Sequence, residues 1–228
     1  MGTLSTSIEC VLFDLDGTLI DTAADFQKVL DVMLDQSGQE RVSSAEVHQT
    51  VSDGARGLVK LAFKFDEDHP EFDHRHQQLL GLYYEQLENT EAKPYPGIIE
   101  LLDSLEAANI QWGIVTNKPE KYSRLLLQKL NLLQRCPILI CPDHVSARKP
   151  NPEALLLACE KLGCEVERTV YIGDHIRDMQ AAKNADIIAI AARYGYLRED
   201  AKVDEWNADF IIESPAETEN LLSILKFA

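Results

Sequence analysis

Asp14 and Asp16 stand two residues apart where an apolar run, Ile8 to Phe13, gives way to Gly17 and Thr18. Holding both acids in a partly dehydrated cleft sets their charges against each other, so one must carry a proton or a cation must sit between them. An aspartate held by a divalent ion can attack phosphorus while its neighbour handles the proton, the aspartyl-phosphate route. The same Asp-x-Asp-Gly string also suits an ordinary turn after a strand. Thr116-Asn117-Lys118-Pro119 offers a hydroxyl and an amide at a helix start, where free N–H groups favour an anion, although Thr and Asn are equally ordinary helix caps. Arg148-Lys149-Pro150 sets a lysine before a proline, able to screen phosphate charge or simply to be solvated. In Gly173-Asp174-His175-Ile176-Arg177-Asp178 the acids are four apart. On a starting helix they share a face, one to ligate a cation and the other to orient its ligand shell.

Each of these groups follows a short apolar run rich in β-branched residues. The runs Ile8–Phe13, Ile110–Thr116, Ile138–Ile140, Thr169–Ile172, Ile187–Ile190 and Phe210–Ile212 read as strands, with helices over Pro96–Ala108 and Pro119–Leu130 between them. A further helix is capped by Asn151, carries Pro152 at its first position and has Gly163 just past its end. The alternation predicts an α/β fold, a doubly wound parallel sheet, in which ligands bind at the carboxyl ends of the strands. Thr22 to Lys93 differs, with helical periodicity and no convincing strand. Its first helix starts at Asp21 or Thr22, turns Phe26, Val29, Leu30, Met33 and Leu34 to one face and stops at Ser37-Gly38. Ser44–Val51, Ala55–Phe63 and His74–Asn89 are further helix candidates. The expected organisation is therefore a discontinuous α/β core, residues 1–21 and 94–228, interrupted by a helical cap, residues 22–93. That insert holds His48, His69, His74 and His76; His74 and His76 cannot share a helix face, so solvated side chains are expected rather than a metal site.

The formal charge of −16, from 22 basic and 38 acidic side chains among 228 residues, repels nucleic acid and anionic lipid. A small phosphorylated partner meets the same field and needs a local cation and a lysine to reverse it. Five cysteines, odd in number and without paired spacing, argue for reduced thiols and a cytoplasmic setting. Met1–Ser7 lacks a charged leader, and no run of about 18 apolar residues follows, so neither export nor membrane insertion is expected. A monomer or weak homodimer is the expected state.

Carboxylates, hydroxyl, lysine and a second carboxylate pair, in order at successive strand ends, make a joint pattern, and with it the chain resembles the haloacid dehalogenase-like phosphatases. Asp14-Leu15-Asp16-Gly17-Thr18, Thr116-Asn117, Lys149-Pro150 and Gly173-Asp174 through Asp178 match the four motifs of that family, and the helical insert matches its cap. The resemblance implies that Asp14 is the nucleophile and Asp16 the acid and base for the leaving alcohol and the water. It implies Mg²⁺ on the Asp14 carboxylate, the Asp16 carbonyl and Asp174, with Thr116 on a phosphoryl oxygen, Lys149 neutralising charge and Asp178 orienting the metal shell or Lys149. Asp16 argues for phosphate esters, because dehalogenases and phosphonate-cleaving relatives replace it. Sugar-phosphate mutases keep it and stand as the alternative, while a non-catalytic interaction protein would have no chemical need of all four groups.

Thr116-Asn117-Lys118-Pro119 and Ser52 to Gly57 look like the phosphoglycolate phosphatase branch. Ile140 to Val145, Arg193 to Tyr196 and Trp206 to Asp209 are similar to bacterial N-acetylmuramic acid 6-phosphate phosphatases. Both substrates are phosphorylated carboxylic acids. Substrate contacts are expected from Thr116, Asn117 and Lys149, and from Arg56, whose fork suits a carboxylate as well as an ordinary surface role. Cys141 and His144 are expected to pack their loop rather than act as a nucleophile pair. His175, where relatives often have serine, and Asn151, where aspartate is frequent, depart from the pattern without removing a catalytic group.

Overall fold

Four consecutive buried side chains make up β1 (Cys10–Phe13), and a strand apolar on both faces belongs in the middle of a covered parallel sheet. The computed structural model describes residues 8–225, so Met1–Ser7 lies outside the described residues. After β1 come β2 (Ile20–Asp21), α1 (Ala23–Gln36), α2 (Ser44–Thr50), α3 (Gly54–Phe63), α4 (Phe72–Gln86) and β3 (Lys93–Pro94). Next are α5 (Ile98–Ala107), β4 (Gln111–Val115), α6 (Glu120–Lys129), β5 (Leu139–Ile140), α7 (Glu153–Leu162) and β6 (Thr169–Gly173). The chain finishes with α8 (Ile176–Asn184), β7 (Ile188–Ala192), β8 (Phe210–Ile212) and α9 (Glu217–Ile224).

Six strands form one parallel sheet in the order β5-β4-β1-β6-β7-β8, the doubly wound arrangement expected. Side chains alternate across it. Val11 and Phe13 join a core with Leu102 of α5, Leu126 of α6 and Leu222 of α9, while Cys10 and Leu12 join one with Leu155 of α7 and Met179 of α8. Register does the work for the site: Phe13 lies opposite Ile114 on one side and Ile172 on the other, so the residues that follow β1, β4 and β6 emerge at one level.

The helices α1 to α4 occupy the stretch between β2 and β3. All five expected core residues of α1 are buried. Buried Asp25 accepts from Gln86 Nε2 at 3.0 Å and Glu91 N at 2.9 Å, tying α1 to the end of α4. The pair β2–β3, antiparallel through Ile20↔Pro94 and Asp21↔Lys93, clasps the two crossings between this segment and the sheet. Two-residue strands are too short to show a period in sequence. Thr22 precedes α1 but makes no side-chain cap bond, because its hydroxyl is used on Asp16. All five cysteines are free. Among the described residues no helix is long and apolar enough to cross a membrane.

Candidate active site

Asp14 leaves the end of β1 with its backbone N–H bonded to the Ile172 carbonyl at 2.9 Å, which places its carboxylate over the sheet edge. Oδ1 accepts from the Leu15 N–H at 2.7 Å and Oδ2 faces Lys149 Nζ at 3.0 Å. The same Nζ lies 2.7 Å from Asp178 Oδ1 and donates to the Val115 carbonyl at 3.1 Å and the Tyr171 hydroxyl at 2.6 Å. Burial works to strip the proton from Lys149, but the two carboxylates outweigh it and hold its pKa above the ordinary value. Burial raises the Asp14 pKa against the pull of Lys149. The result is a dehydrated carboxylate beside a buried cation, an electrostatic setting suited to an arriving phosphoryl group.

Asp174, fully buried, accepts from Tyr196 N at 2.9 Å and Ser52 Oγ at 2.8 Å on Oδ2, and Thr18 Oγ1 approaches Oδ1 at 3.4 Å. Gly17, at φ +80°, permits the approach: a Cβ there would stand 2.1 Å from Asp174 Oδ2. Carboxylate oxygens of Asp14, Asp174 and Asp178 lie within 4.8 Å of one another. Burial and repulsion from Asp178 and Asp14 push Asp174 up to about 8. Three buried acids converging on one point, one of them reluctant to ionise, suit a hard divalent cation with oxygen ligands, so the donor set fits Mg²⁺.

Asp16 lies outside that cluster. Its Oδ1 accepts from Thr22 Oγ1 at 2.7 Å, and Lys118 Nζ contacts its two oxygens at 2.8 and 3.1 Å. Lys118 is buried, donates to the Tyr83 hydroxyl of α4 at 2.8 Å and lies over the rings of Tyr83 and Phe26. The two aspartates are thus held by different lysines, Asp14 by Lys149 and Asp16 by Lys118. Sequence reasoning missed Lys118, Tyr171, Tyr83 and Ser52. The one available signal was a lysine following Thr116 and Asn117 at the start of a helix.

Thr116 is buried, and its hydroxyl accepts the Lys118 N–H at 3.2 Å. Asn117 clamps two loops: Nδ2 donates to the Lys149 carbonyl at 3.1 Å and Oδ1 accepts the Lys149 N–H at 3.1 Å. Arg56 reaches Glu67 at 2.7 Å and stacks on Phe72, so its fork meets a carboxylate of the chain itself. Asp14, Asp16, Thr116, Asn117, Lys118 and Arg56 nevertheless line one cavity of about 430 Å³, walled on the helical side by Phe26, Val51, Leu80 and Tyr83. His76 also lines it, half-buried, with burial and then Arg56 holding its pKa below the ordinary value; the other three histidines of the segment stand elsewhere. Asp53, next to Ser52, faces His175 Nε2 at 3.8 Å and pairs with Arg198, so this loop spans the gap to the Asp174 turn. Cys141 accepts no catalytic role: its N–H bonds His144 Nδ1 at 3.0 Å, and burial pushes its thiol up to about 12.

A family model described as haloacid dehalogenase-like hydrolase matches residues 11–192. The chain is similar to an N-acetylmuramic acid 6-phosphate phosphatase from Pseudomonas aeruginosa, 40% identical over 215 residues that cover 94% of this chain and 95% of the relative. It is also similar to a phosphoglycolate phosphatase from Xanthomonas campestris pv. campestris, 38% identical over 211 residues, 90% of this chain and 92% of the relative. A Haemophilus somnus crystal structure, of a predicted phosphoglycolate phosphatase, superposes with a TM-score of 0.82 at 24% identity, covering 95% of this chain and 98% of that one, and so shares the fold.

Proposed function

We propose that this chain, which belongs to the haloacid dehalogenase-like hydrolase family, is a phosphatase that releases phosphate from a small phosphorylated metabolite through an aspartyl-phosphate. The observation that carries the reading is a cavity in which Asp14, paired with Lys149 at 3.0 Å, and Asp16, held by Lys118, come together. Asp14 attacks the phosphorus, and the bond to the ester oxygen breaks as Asp16 gives that oxygen its proton. Asp16, now a carboxylate, takes a proton from the water that cleaves the phosphoaspartate. Thr116 donates to a phosphoryl oxygen and Lys149 offsets the growing negative charge. Asp178 fixes Lys149 at 2.7 Å and so acts as a positioning residue.

Mg²⁺ on Asp14, Asp174 and the Asp16 carbonyl would neutralise charge between the nucleophile and the phosphoryl oxygens. Lys118 and Thr22 hold the Asp16 carboxylate outside the acidic cluster, so it serves proton transfer rather than ligation. Residues 22–93 act as the cap that closes over this chemistry. Volume and wall favour N-acetylmuramic acid 6-phosphate over 2-phosphoglycolate, since about 430 Å³ bounded by Phe26 and Tyr83 far exceeds a two-carbon acid and suits a sugar ring. Free thiols and the acidic charge agree with a cytoplasmic enzyme.

Phosphate release measured over N-acetylmuramic acid 6-phosphate, 2-phosphoglycolate, hexose phosphates and nucleotides tests the substrate. Asp14→Asn is expected to abolish Mg²⁺-dependent turnover with the unfolding transition retained; turnover that survives would remove the covalent route. Isomerisation of a sugar phosphate without net phosphate release would point to a mutase.

A further inference from the structure

The chain contains ten arginines, and eight of them lie within 4.0 Å of a carboxylate of the chain itself. The remaining two, Arg148 and Arg177, have no ion-pair, hydrogen-bond or ring partner for their guanidinium groups among the described residues, and both line the cavity over Asp14. With 38 acidic side chains against 22 basic ones, an unclaimed guanidinium is the exception on this molecule, and the exceptions coincide at one place. The other cationic groups there are engaged: Lys118 by Asp16, Lys149 by Asp14 and Asp178, Arg56 by Glu67.

The backbone brings the two arginines to the same side. Arg148 directly precedes Lys149 and Arg177 directly precedes Asp178, and the Lys149–Asp178 ion pair closes to 2.7 Å. Asn184 of α8 also donates to the Pro150 carbonyl at 3.0 Å, so the loop after β5 and the helix after β6 are joined twice. Both guanidinium groups therefore come from the sheet side, beside the phosphoryl machinery, whereas Arg56 belongs to the helical segment opposite. A guanidinium binds a carboxylate through two parallel N–H bonds, and such charge-assisted pairs are the strong ones.

We propose that Arg148 and Arg177 bind a second anionic group of the substrate, a carboxylate, and make the enzyme selective for phosphorylated carboxylic acids over phosphate esters that lack the carboxylate. The inference rests on the phosphatase reading of this cavity and assigns the residues that choose its substrate. The phosphoryl end is already provided with Lys149 and Thr116. The relatives' two named substrates, N-acetylmuramic acid 6-phosphate and phosphoglycolate, have a carboxylate in common besides the phosphate ester.

The test uses matched pairs: N-acetylmuramic acid 6-phosphate against N-acetylglucosamine 6-phosphate, which lacks the lactyl carboxylate, and 2-phosphoglycolate against ethyl phosphate. The quantity read is the ratio of kcat/KM within a pair, with KM and kcat determined separately. Arg148→Gln and Arg177→Gln, singly and together, are expected to lower the ratio for the better-hydrolysed acid by about 10- to 100-fold in the double variant, the scale of a lost charge-assisted hydrogen bond, chiefly through KM. Arg41→Gln, outside the cavity lining and paired with Asp31 and Asp35, serves as the control and is expected to leave the ratio unchanged. Arg148 is exposed, so its single variant separates recognition from folding. A double variant with the wild-type ratio overturns the proposal, as does one that loses activity equally on both members of a pair, which would place the two arginines on the phosphoryl group. Wild-type protein that releases phosphate from no ester overturns the phosphatase reading itself.

Discussion

Asp16 owes its character to Lys118. An aspartate at a turn after a strand is unremarkable until a buried ammonium at 2.8 Å and a threonine hydroxyl at 2.7 Å fix its orientation at the edge of the cavity. The ion pair has side-chain exposures of 6% and 17%, so water does little to screen it. Removing one partner of such a pair leaves the other charge uncompensated, at a cost of about 3–5 kcal/mol. Lys118→Met is therefore expected to destabilise the protein by about that amount in urea unfolding and, with Asp16 released, to lower kcat by about 10- to 100-fold, since general acid–base catalysis is worth at least that. A variant with wild-type kcat would show that Asp16 needs no such holder. Asn117 illustrates the opposite lesson: a polar residue at the expected place spends both ends of its amide on the Lys149 backbone, and so shapes the site by joining two loops.

At the scale of elements, the junction between β2 and α1 matters most, because every residue from 22 to 93 hangs from it and from β3. Tyr196, in the loop after β7, holds this junction from below: its hydroxyl accepts the N–H groups of Thr22 and Ala23 and donates to Asp21 Oδ1 at 2.8 Å. Its own backbone N–H binds Asp174. One residue thus ties the crossing point to the candidate metal ligand. Tyr196→Phe removes the hydroxyl alone and leaves the buried Thr22 N–H without that acceptor, a loss of about 1–3 kcal/mol. The expected signatures are a lower urea midpoint and faster amide hydrogen exchange at Thr22 and Ala23. Unchanged exchange there would show that β2 and β3 alone secure the crossing.

For the whole molecule, the acidic cluster links stability to pH. Asp174 has its pKa pushed from 3.8 to about 8, so in the range between these values the folded chain keeps a proton that the unfolded chain has lost. Asp174 therefore contributes stability that is fully present below pH about 4 and is lost as pH rises through about 8. A cation at Asp174 displaces that proton, and its binding strengthens as proton competition fades. The rise in Tm on adding Mg²⁺ is expected to grow from pH 6 to 8 and to level off above about 8. A shift of constant size across that range would argue against Asp174 as a ligand. The charge of −16 makes this local arrangement more telling, since the cationic groups of the cavity stand against the field of everything around them.

Residue order by itself determined the alternation of strands and helices, the face of α1 and the four strand ends where chemistry could sit. Those features are carried by short-range periodicity and by Gly, Pro and Asn at turns, which act over a few residues. Ile110–Val115 announces a strand through its own side chains, as does Thr169–Ile172, and the acids and hydroxyl that follow them are visible at once. Tertiary structure alone decided which lysine serves which aspartate, that Ser52 reaches Asp174 across 122 positions, and that Arg56 is claimed by Glu67 while Arg148 and Arg177 are left to the cavity. Such pairings depend on where a long side chain ends in space. Many partners of equal chemistry compete for each charge, and only the packed sheet and helices choose among them.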